Sequence, residues 1–358
     1  MNRAVETSRA QIGSRERLFV LAVIFSQCLL LAHAVHTACY QYGLQAQVAP
    51  VASASAPPVL YAPDAYRVGM PFLGGLEARL LHLHDATWIA ALNDFCFAAL
   101  ALYLLYRLIL QSSRKVSDSV SVRWARLFVF FALVQFPLAW IVPWQRPETT
   151  PACCFLAFAV FALGHQGSRL RWSAALMVAT VVQGFIRADV AFIFGVALAL
   201  VSAERLRGMN RHAALQDLAT ATGVTAIAGG IQAYLQFVRF PHLTYTPGIH
   251  PFQLINNFRS THNLVTFGTA LAPFVMVVGY VLWKRFPLDT SERVILVAST
   301  LYLALWWTVG SIGEVRLFVP FMMLLCVFAA HTLPRLFLPD AESIGELKRV
   351  VSETAPGE

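Results

Sequence analysis

Ten stretches of the chain, at roughly 18–40, 86–110, 127–144, 152–166, 172–186, 190–203, 214–238, 263–283, 294–312 and 317–333, are apolar enough to read as membrane spans. No other feature constrains the fold as tightly, because backbone polar groups in lipid must be satisfied within the protein, and a helix does this segment by segment. The expected fold is therefore all-α, a polytopic transmembrane helix bundle of about ten spans. Of 358 residues, 58% are hydrophobic and 13% charged, against about 25% charged in a soluble domain. With 26 Phe and 8 Trp, the chain holds more apolar surface than one water-exposed domain can hide. That excludes soluble enzymes, nucleic-acid binders and disordered chains.

The net charge of +8 reflects sidedness rather than a nucleic-acid partner. With the N-terminus cytoplasmic, ten crossings return the C-terminus to the same side, and of 27 Lys and Arg residues 20 fall inside and 7 outside. The inside set clusters at 1–17, 107–126, 169–171, 205–211, 284–293 and 335–349, following the positive-inside rule at every cytoplasmic turn. Residues 1–17 and 334–358 are then cytoplasmic tails, and 18–333 form the bundle with outer loops at 41–85 and 239–262. The first span follows Arg3, Arg9, Arg15 and Arg17, and its length favours an uncleaved anchor over a signal peptide. The expected location is a bacterial inner membrane.

The segment 172–203 reads as two short paired helices broken at Arg187-Ala188-Asp189, because one long helix would carry Arg205, Arg207 and Arg211 to the outer side. Arms of about 15 residues reach about 22 Å of a roughly 30 Å core, which predicts a turn below the outer surface in a protein-lined cavity. In the loop 41–85, a Pro-rich linker precedes Leu76, Leu80, Leu81 and Leu83, interleaved with Glu77, Arg79, His82 and His84, which predicts an interfacial helix. Cysteines 28, 39, 96, 153, 154 and 326 lie in or beside apolar runs without ligand spacing and read as buried small hydrophobes.

All outside cations are arginines: Arg67, Arg79, Arg146, Arg187, Arg239, Arg259 and Arg316, while every lysine is inside. Arginine holds its charge in low dielectric and presents a planar fork that grips phosphate through two hydrogen bonds. Three outer segments stand out for setting an acid close to one of these arginines: Arg67 with Asp64, Arg187 with Asp189, and Arg316 with Glu314. Residues at i and i+2 diverge on a helix, so the last two pairs belong to turns. The 239–262 loop adds Tyr245, His250, Asn256, Asn257 and Arg259. Each pair alone also fits an ion pair that lets a charge survive near lipid, and Asp94 in the second span fits a partner for an outer arginine. The outside histidines are too scattered for a metal motif. Convergence on one face of a bundle points instead to a lipid-linked phosphate arriving from the outer leaflet.

These features resemble the GT-C superfamily of integral-membrane glycosyltransferases: the helix bundle, an acid beside an interfacial helix in the first outer loop, short paired spans, and arginines on later loops. The likeness covers roughly residues 18–333, through segments such as Tyr66-Arg67-Val-Gly-Met-Pro71-Phe72-Leu73 and Gly313-Glu314-Val-Arg316-Leu-Phe-Val-Pro320. It implies transfer of a sugar from a polyprenyl-phosphate donor to an envelope or lipid-linked acceptor on the outer face. The resemblance makes Asp64 the catalytic base, with Asp189 the alternative. Arg187, Arg259 and Arg316 would hold the phosphate, Glu314 would orient Arg316, and Arg67 would stand at the donor entrance. His250 and Asn256 would complete the substrate site. No organic cofactor is implied, and a role for a divalent metal stays open. Asp64 lies more than twenty residues beyond the first span, further than the family's acid usually does. Two other functions fit the same arginines: an envelope-polysaccharide polymerase or ligase, and a transporter or flippase that binds a phosphate-bearing lipid without cleaving it.

Overall fold

Every element among the described residues is helical, as the hydropathy predicts. The structure is a computed structural model that describes residues 14–38, 66–83, 85–115, 120–165, 169–207, 211–243 and 252–337. In chain order the helices are α1 (Ser14–Ala38), α2 (Gly69–Leu81), α3 (Ala86–Lys115), α4 (Val120–Leu133), α5 (Gln135–Ile141), α6 (Thr149–Leu163), α7 (Arg169–Arg205) and α8 (Arg211–Ala233). They continue with α9 (Leu254–Arg259), α10 (Thr261–Trp283), α11 (Thr290–Val309) and α12 (Val319–Phe337). Seven segments are long and apolar enough to cross a membrane, and α6 and α12 are shorter apolar helices.

The outer helices are apolar where they are exposed. Leu18, Phe19, Phe25, Leu29 and Leu30 on α1, and Val275, Met276, Leu282 and Trp283 on α10, point away from the protein. Apolar exposure on this scale marks a surface that meets lipid. The centre is built differently. In α6, every residue from Thr149 to Ala157 is buried, and α12 is enclosed along most of its length. A helix that is apolar all round has no face for water, so these two short helices occupy the core while longer ones surround them.

The 37-residue α7 is not a rod. Arg187 has extended backbone angles (φ −161°, ψ 80°), and a straight helix would separate its two ends by about 55 Å. Yet Arg205 at one end and Arg169 at the other both reach the carboxylate of Asp217, at 2.7 and 3.7 Å. The chain therefore doubles back at Arg187 into two arms, 169–186 and 188–205, each about 27 Å long. The Gln183 side chain donates to the Arg187 carbonyl at 3.1 Å, satisfying an acceptor at the break. α8 lies along both arms: Thr220 bonds Ser173 on the first, and Gly195 on the second faces Thr225. Close contact there depends on the glycine, because a Cβ at 195 would stand 2.4 Å from Thr225 Oγ1 and 3.0 Å from its backbone nitrogen.

The fold-back puts both ends of α7 at one end of the bundle and Arg187 at the other. The ion pairs divide the same way. Arg123–Glu16, Arg293–Glu204, Arg335–Glu292 and the Asp217 pairs lie at the end opposite Arg187, and all of these arginines belong to the inside set. The pairs Arg67–Glu148, Arg187–Asp189 and Arg316–Glu314 gather at the Arg187 end.

Three expectations need adjustment. The third apolar stretch begins at Val120 rather than 127 and is interrupted near Val134, where Pro137 lacks the N–H that would bind the Leu133 carbonyl. Cys96 is exposed, because the helical period turns Asp94, Ala98, Ala101 and Leu105 inward and leaves Cys96 on the opposite face; Cys28, Cys153, Cys154 and Cys326 are buried as expected. Asp94 takes its bonds from Gln145 and Thr150, not from an arginine. Cys39 lies outside the described residues.

The tight contact at Gly195 gives a direct test. Gly195→Ala should destabilise the protein by about 1–3 kcal/mol through overpacking against backbone, read as a lower midpoint of thermal unfolding in detergent; an unchanged midpoint would show that α8 is not seated on the second arm.

Candidate functional site

At the Arg187 end, a guanidinium only 2% exposed sits on the inside of the α7 fold-back. Its Nη2 donates to the Tyr302 hydroxyl of α11, to Asp189 Oδ2 at 3.3 Å and to the Leu317 carbonyl at 3.4 Å. The guanidinium carbon lies 5.6 Å from the Tyr302 ring centre and 5.9 Å from that of Trp306, within cation–π range. The Tyr302 hydroxyl donates in turn to Asp189 Oδ2 at 3.3 Å. One buried cation thus holds the hairpin tip, α11 and the 3₁₀ turn Val315–Leu317 together.

Glu148, immediately before α6, is the second centre. Its Oε1 accepts from Arg67 Nη1, and it is 3% exposed. Burial alone would push this carboxyl up, but Arg67, Arg146, Arg187 and Arg316 outweigh it and hold the group below the ordinary carboxylate range. The turn that carries Glu148 is fixed from beneath: Asp94 accepts from Thr150 Oγ1 at 2.6 Å and from Gln145 Nε2 at 2.9 Å, all three side chains being buried. Arg67 reaches Glu148 because α2 packs closely on the hairpin tip, where a Cβ on Gly69 would fall 2.8 Å from Ile186 and 3.2 Å from the Phe185 backbone.

Arg316 is buried and donates to Glu314 Oε2 at 2.8 Å. Asn257 pins the loop before this pair: its side chain donates to the Trp307 and Gly310 carbonyls at 2.8 Å each and accepts from the Ile312 N–H at 3.1 Å. A cavity of about 510 Å³ opens beside the group. Tyr66, Arg67, Arg187, Asp189, Gln232 and Gln236 supply its polar part, while Phe192, Ile193, Phe237, Leu305, Trp306 and Val309 supply apolar walls. A cationic end continuous with an apolar chamber can take an anion that carries a hydrocarbon tail.

Among the sequence-predicted residues, Arg67, Arg187 and Arg316 come together around Glu148, with Asp189 and Glu314 attached to their arginines. Asp64 and His250 lie outside the described residues. Arg259 and Asn256 are exposed on α9; Asn256 bonds Gln253 at 3.1 Å, and no described contact joins either residue to the cluster. The neighbouring Asn257 does the holding instead. Glu148, Tyr302 and Trp306 are the members that sequence reasoning missed. Glu148 had a readable signal, an acid beside Arg146 at the end of an apolar segment, whereas Tyr302 and Trp306 lie within an apolar run. Among the described residues, no group of three His, Cys, Asp or Glu gathers to hold a metal.

No protein-family model, curated protein or solved structure matches this chain.

The Glu148 carboxyl titrates below its ordinary value of 4.5, so the stability it contributes is complete above that pH and is lost as pH falls through the lower folded value. Thermal unfolding midpoints of wild type and Glu148→Gln should differ most above pH 4.5 and converge in stronger acid. Parallel midpoints from about pH 3 to 7 would refute the buried ion pair.

Proposed function

We propose that this chain is a membrane glycosyltransferase that binds the phosphate of a polyprenyl-phosphate-linked sugar at its Arg187 end and transfers the sugar to an envelope or lipid-linked acceptor. The observation that carries this reading is that two arginines of the cluster, the buried Arg187 and the part-buried Arg67, line a cavity with mainly apolar walls. Buried guanidiniums suit an anion, and the adjoining walls suit a prenyl chain. In this reading the protein crosses the membrane ten times: the seven long segments count as eight once α7 is divided into its arms, and α6 and α12 complete the set. The Arg187 end faces outward and both tails face the cytoplasm of a bacterial inner membrane, an orientation that the arginine distribution supports. On α2, Phe72, Leu76, Leu80 and Leu81 are exposed on the side away from the bundle, which suits a helix lying in the outer interface.

The chemistry assigns a role to each group. The acceptor hydroxyl gives its proton to a carboxylate while its oxygen bonds the anomeric carbon; the bond from that carbon to the phosphate oxygen breaks, and the electron pair leaves on the phosphate. Arg187 and Arg316 meet the charge that develops there, which is the larger electrostatic contribution. Asp189 and Glu314 are partly exposed, at 28% and 43% of the side chain, and are open to a substrate. Asp64 stays a candidate base from the resemblance, with Asp189 its alternative, and Glu314 orients Arg316.

Binding in lipid nanodiscs tests the reading. Wild type should prefer a polyprenyl phosphate to the plain polyprenol. Arg187→Ala and Arg316→Ala should each weaken that binding by about tenfold or more, in line with a lost charge-assisted hydrogen bond. Asp64→Asn and Asp189→Asn should still bind, with turnover lost in whichever is the base. Wild type without any preference for the phosphate would leave the arginines as structural ion pairs, and phosphate binding with no turnover by any donor would favour the transporter. Sidedness has its own check: in a cysteine-free background, an impermeant maleimide added to intact cells should label Arg239→Cys and spare Arg207→Cys. The reverse pattern would invert the orientation.

A further inference from the structure

We infer that Gln232 and Gln236 on the cavity wall select the transferred group, holding the hydroxyls of a sugar through their side-chain amides. The inference rests on the phosphate-binding reading above and adds a specificity determinant to it. Both glutamines line the cavity of about 510 Å³ that Arg187 and Asp189 also line. They belong to the segment Arg211–Arg239, which is long and apolar enough to cross a membrane. Polar groups in such a segment are costly to leave unpaired, and they mark cavities and substrate paths. Earlier on the same helix, polar side chains are spent within the protein: Thr220 bonds Ser173 and the Gln216 carbonyl, and Thr222 donates to the Leu218 carbonyl. Neither Gln232 nor Gln236 has a hydrogen bond among the described residues.

The backbone brings both amides to one wall. Along a regular α-helix each four-residue step advances by about 40°, so Ala228, Gln232 and Gln236 would drift by about 80° around the axis. Tyr234–Arg239 is π-helical instead, with the Phe240 N–H bonded to the Leu235 carbonyl at 3.0 Å, and its wider turn takes back part of that drift. Tyr234 and Val238, which do not line the cavity, are exposed, whereas the two glutamines are half-buried. Ala228, Gly229 and Ala233 flank the glutamines with little bulk, so this wall carries amides without filling the space. An amide donates through its nitrogen and accepts through its oxygen, and a hydroxyl does both. Two amides one turn apart, about 6 Å along the axis, therefore suit a neutral polyol. A hydrocarbon tail in their place would leave both amides unpaired, which costs binding.

Full-length protein in nanodiscs provides the test. The probes are a polyprenyl methyl phosphodiester, the glucosyl, galactosyl, mannosyl and arabinosyl phosphodiesters of the same polyprenol, and the plain polyprenol. Wild type should bind at least one sugar diester more tightly than the methyl diester. Gln232→Leu and Gln236→Leu keep the bulk and remove the amide; because neither amide bonds the protein, the fold does not depend on them. Each change should cut the sugar preference by about fivefold, the effect of one lost hydrogen bond, and leave the methyl-diester affinity within about twofold of wild type. Equal losses for methyl and sugar diesters would make the glutamines structural and overturn the inference. A sugar preference that survives the double variant overturns it as well. Wild type that binds every diester alike, and all of them above the polyprenol, overturns this inference alone. Wild type that binds no diester above the polyprenol overturns the phosphate-binding reading and this inference with it.

Discussion

A guanidinium cannot shed its charge inside a protein, so burying Arg187 to 2% exposure obliges the surrounding elements to supply partners. They come from three places in the chain. Asp189 follows two residues later at the start of the second arm of α7, Tyr302 and Trp306 come from α11, and the Leu317 carbonyl comes from the turn before α12. Remove the fold-back and the charge would stand in lipid; remove the partners and the fold-back would bury an uncompensated cation. Tyr302 also stacks on Phe321 at 4.1 Å between ring centres, so the residue that holds Arg187 is itself anchored on α12 in the core.

The opposite end of the bundle uses the same residue types for a different purpose. Glu292 is fully buried at the start of α11, where it closes a capping box with Asp289 and meets Arg335 at 3.3 Å. Asp217 ties both ends of α7 to α8. These carboxylates are consumed by helix ends and neighbouring arginines, and they join helices in the way intramembrane and interfacial charges usually do. Charge alone therefore does not distinguish the two ends. What distinguishes the Arg187 end is space, since the cavity there adjoins the cations rather than a packed interface.

Much of the architecture was legible because hydropathy and arginine placement are both one-dimensional signals. The break at Arg187-Ala188-Asp189 could be read from the chain, since only a hairpin keeps Arg169 and Arg205 on one side, and their shared bond to Asp217 is the three-dimensional form of that argument. The site was legible only where charge neighbours charge in sequence, as in Arg187–Asp189 and Glu314–Arg316. Pairings across the fold were hidden. Arg67 has Asp64 three residues away, yet its described partner is Glu148, 81 residues on, because Gly69 lets α2 settle on the hairpin tip. Asn256 and Asn257 are chemically identical, and only the direction of a short helix decides which one enters the protein.

Exposure divides the labour among the carboxylates more sharply than identity does. Asp94 and Glu148 are sealed, one bonded by Gln145 and Thr150 and the other by Arg67, and neither can be reached from solvent without dismantling the turn between them. Asp189 and Glu314 remain partly open while touching Arg187 and Arg316. An arginine that is buried on one side and carries an accessible acid on the other is held at fixed depth, and of the two pairs Arg187–Asp189 lines the cavity. The sealed acids thus fix where the cations stand, the open acids keep a solvent-facing side, and the separation follows from a helix hairpin short enough to place its turn inside the protein rather than in water.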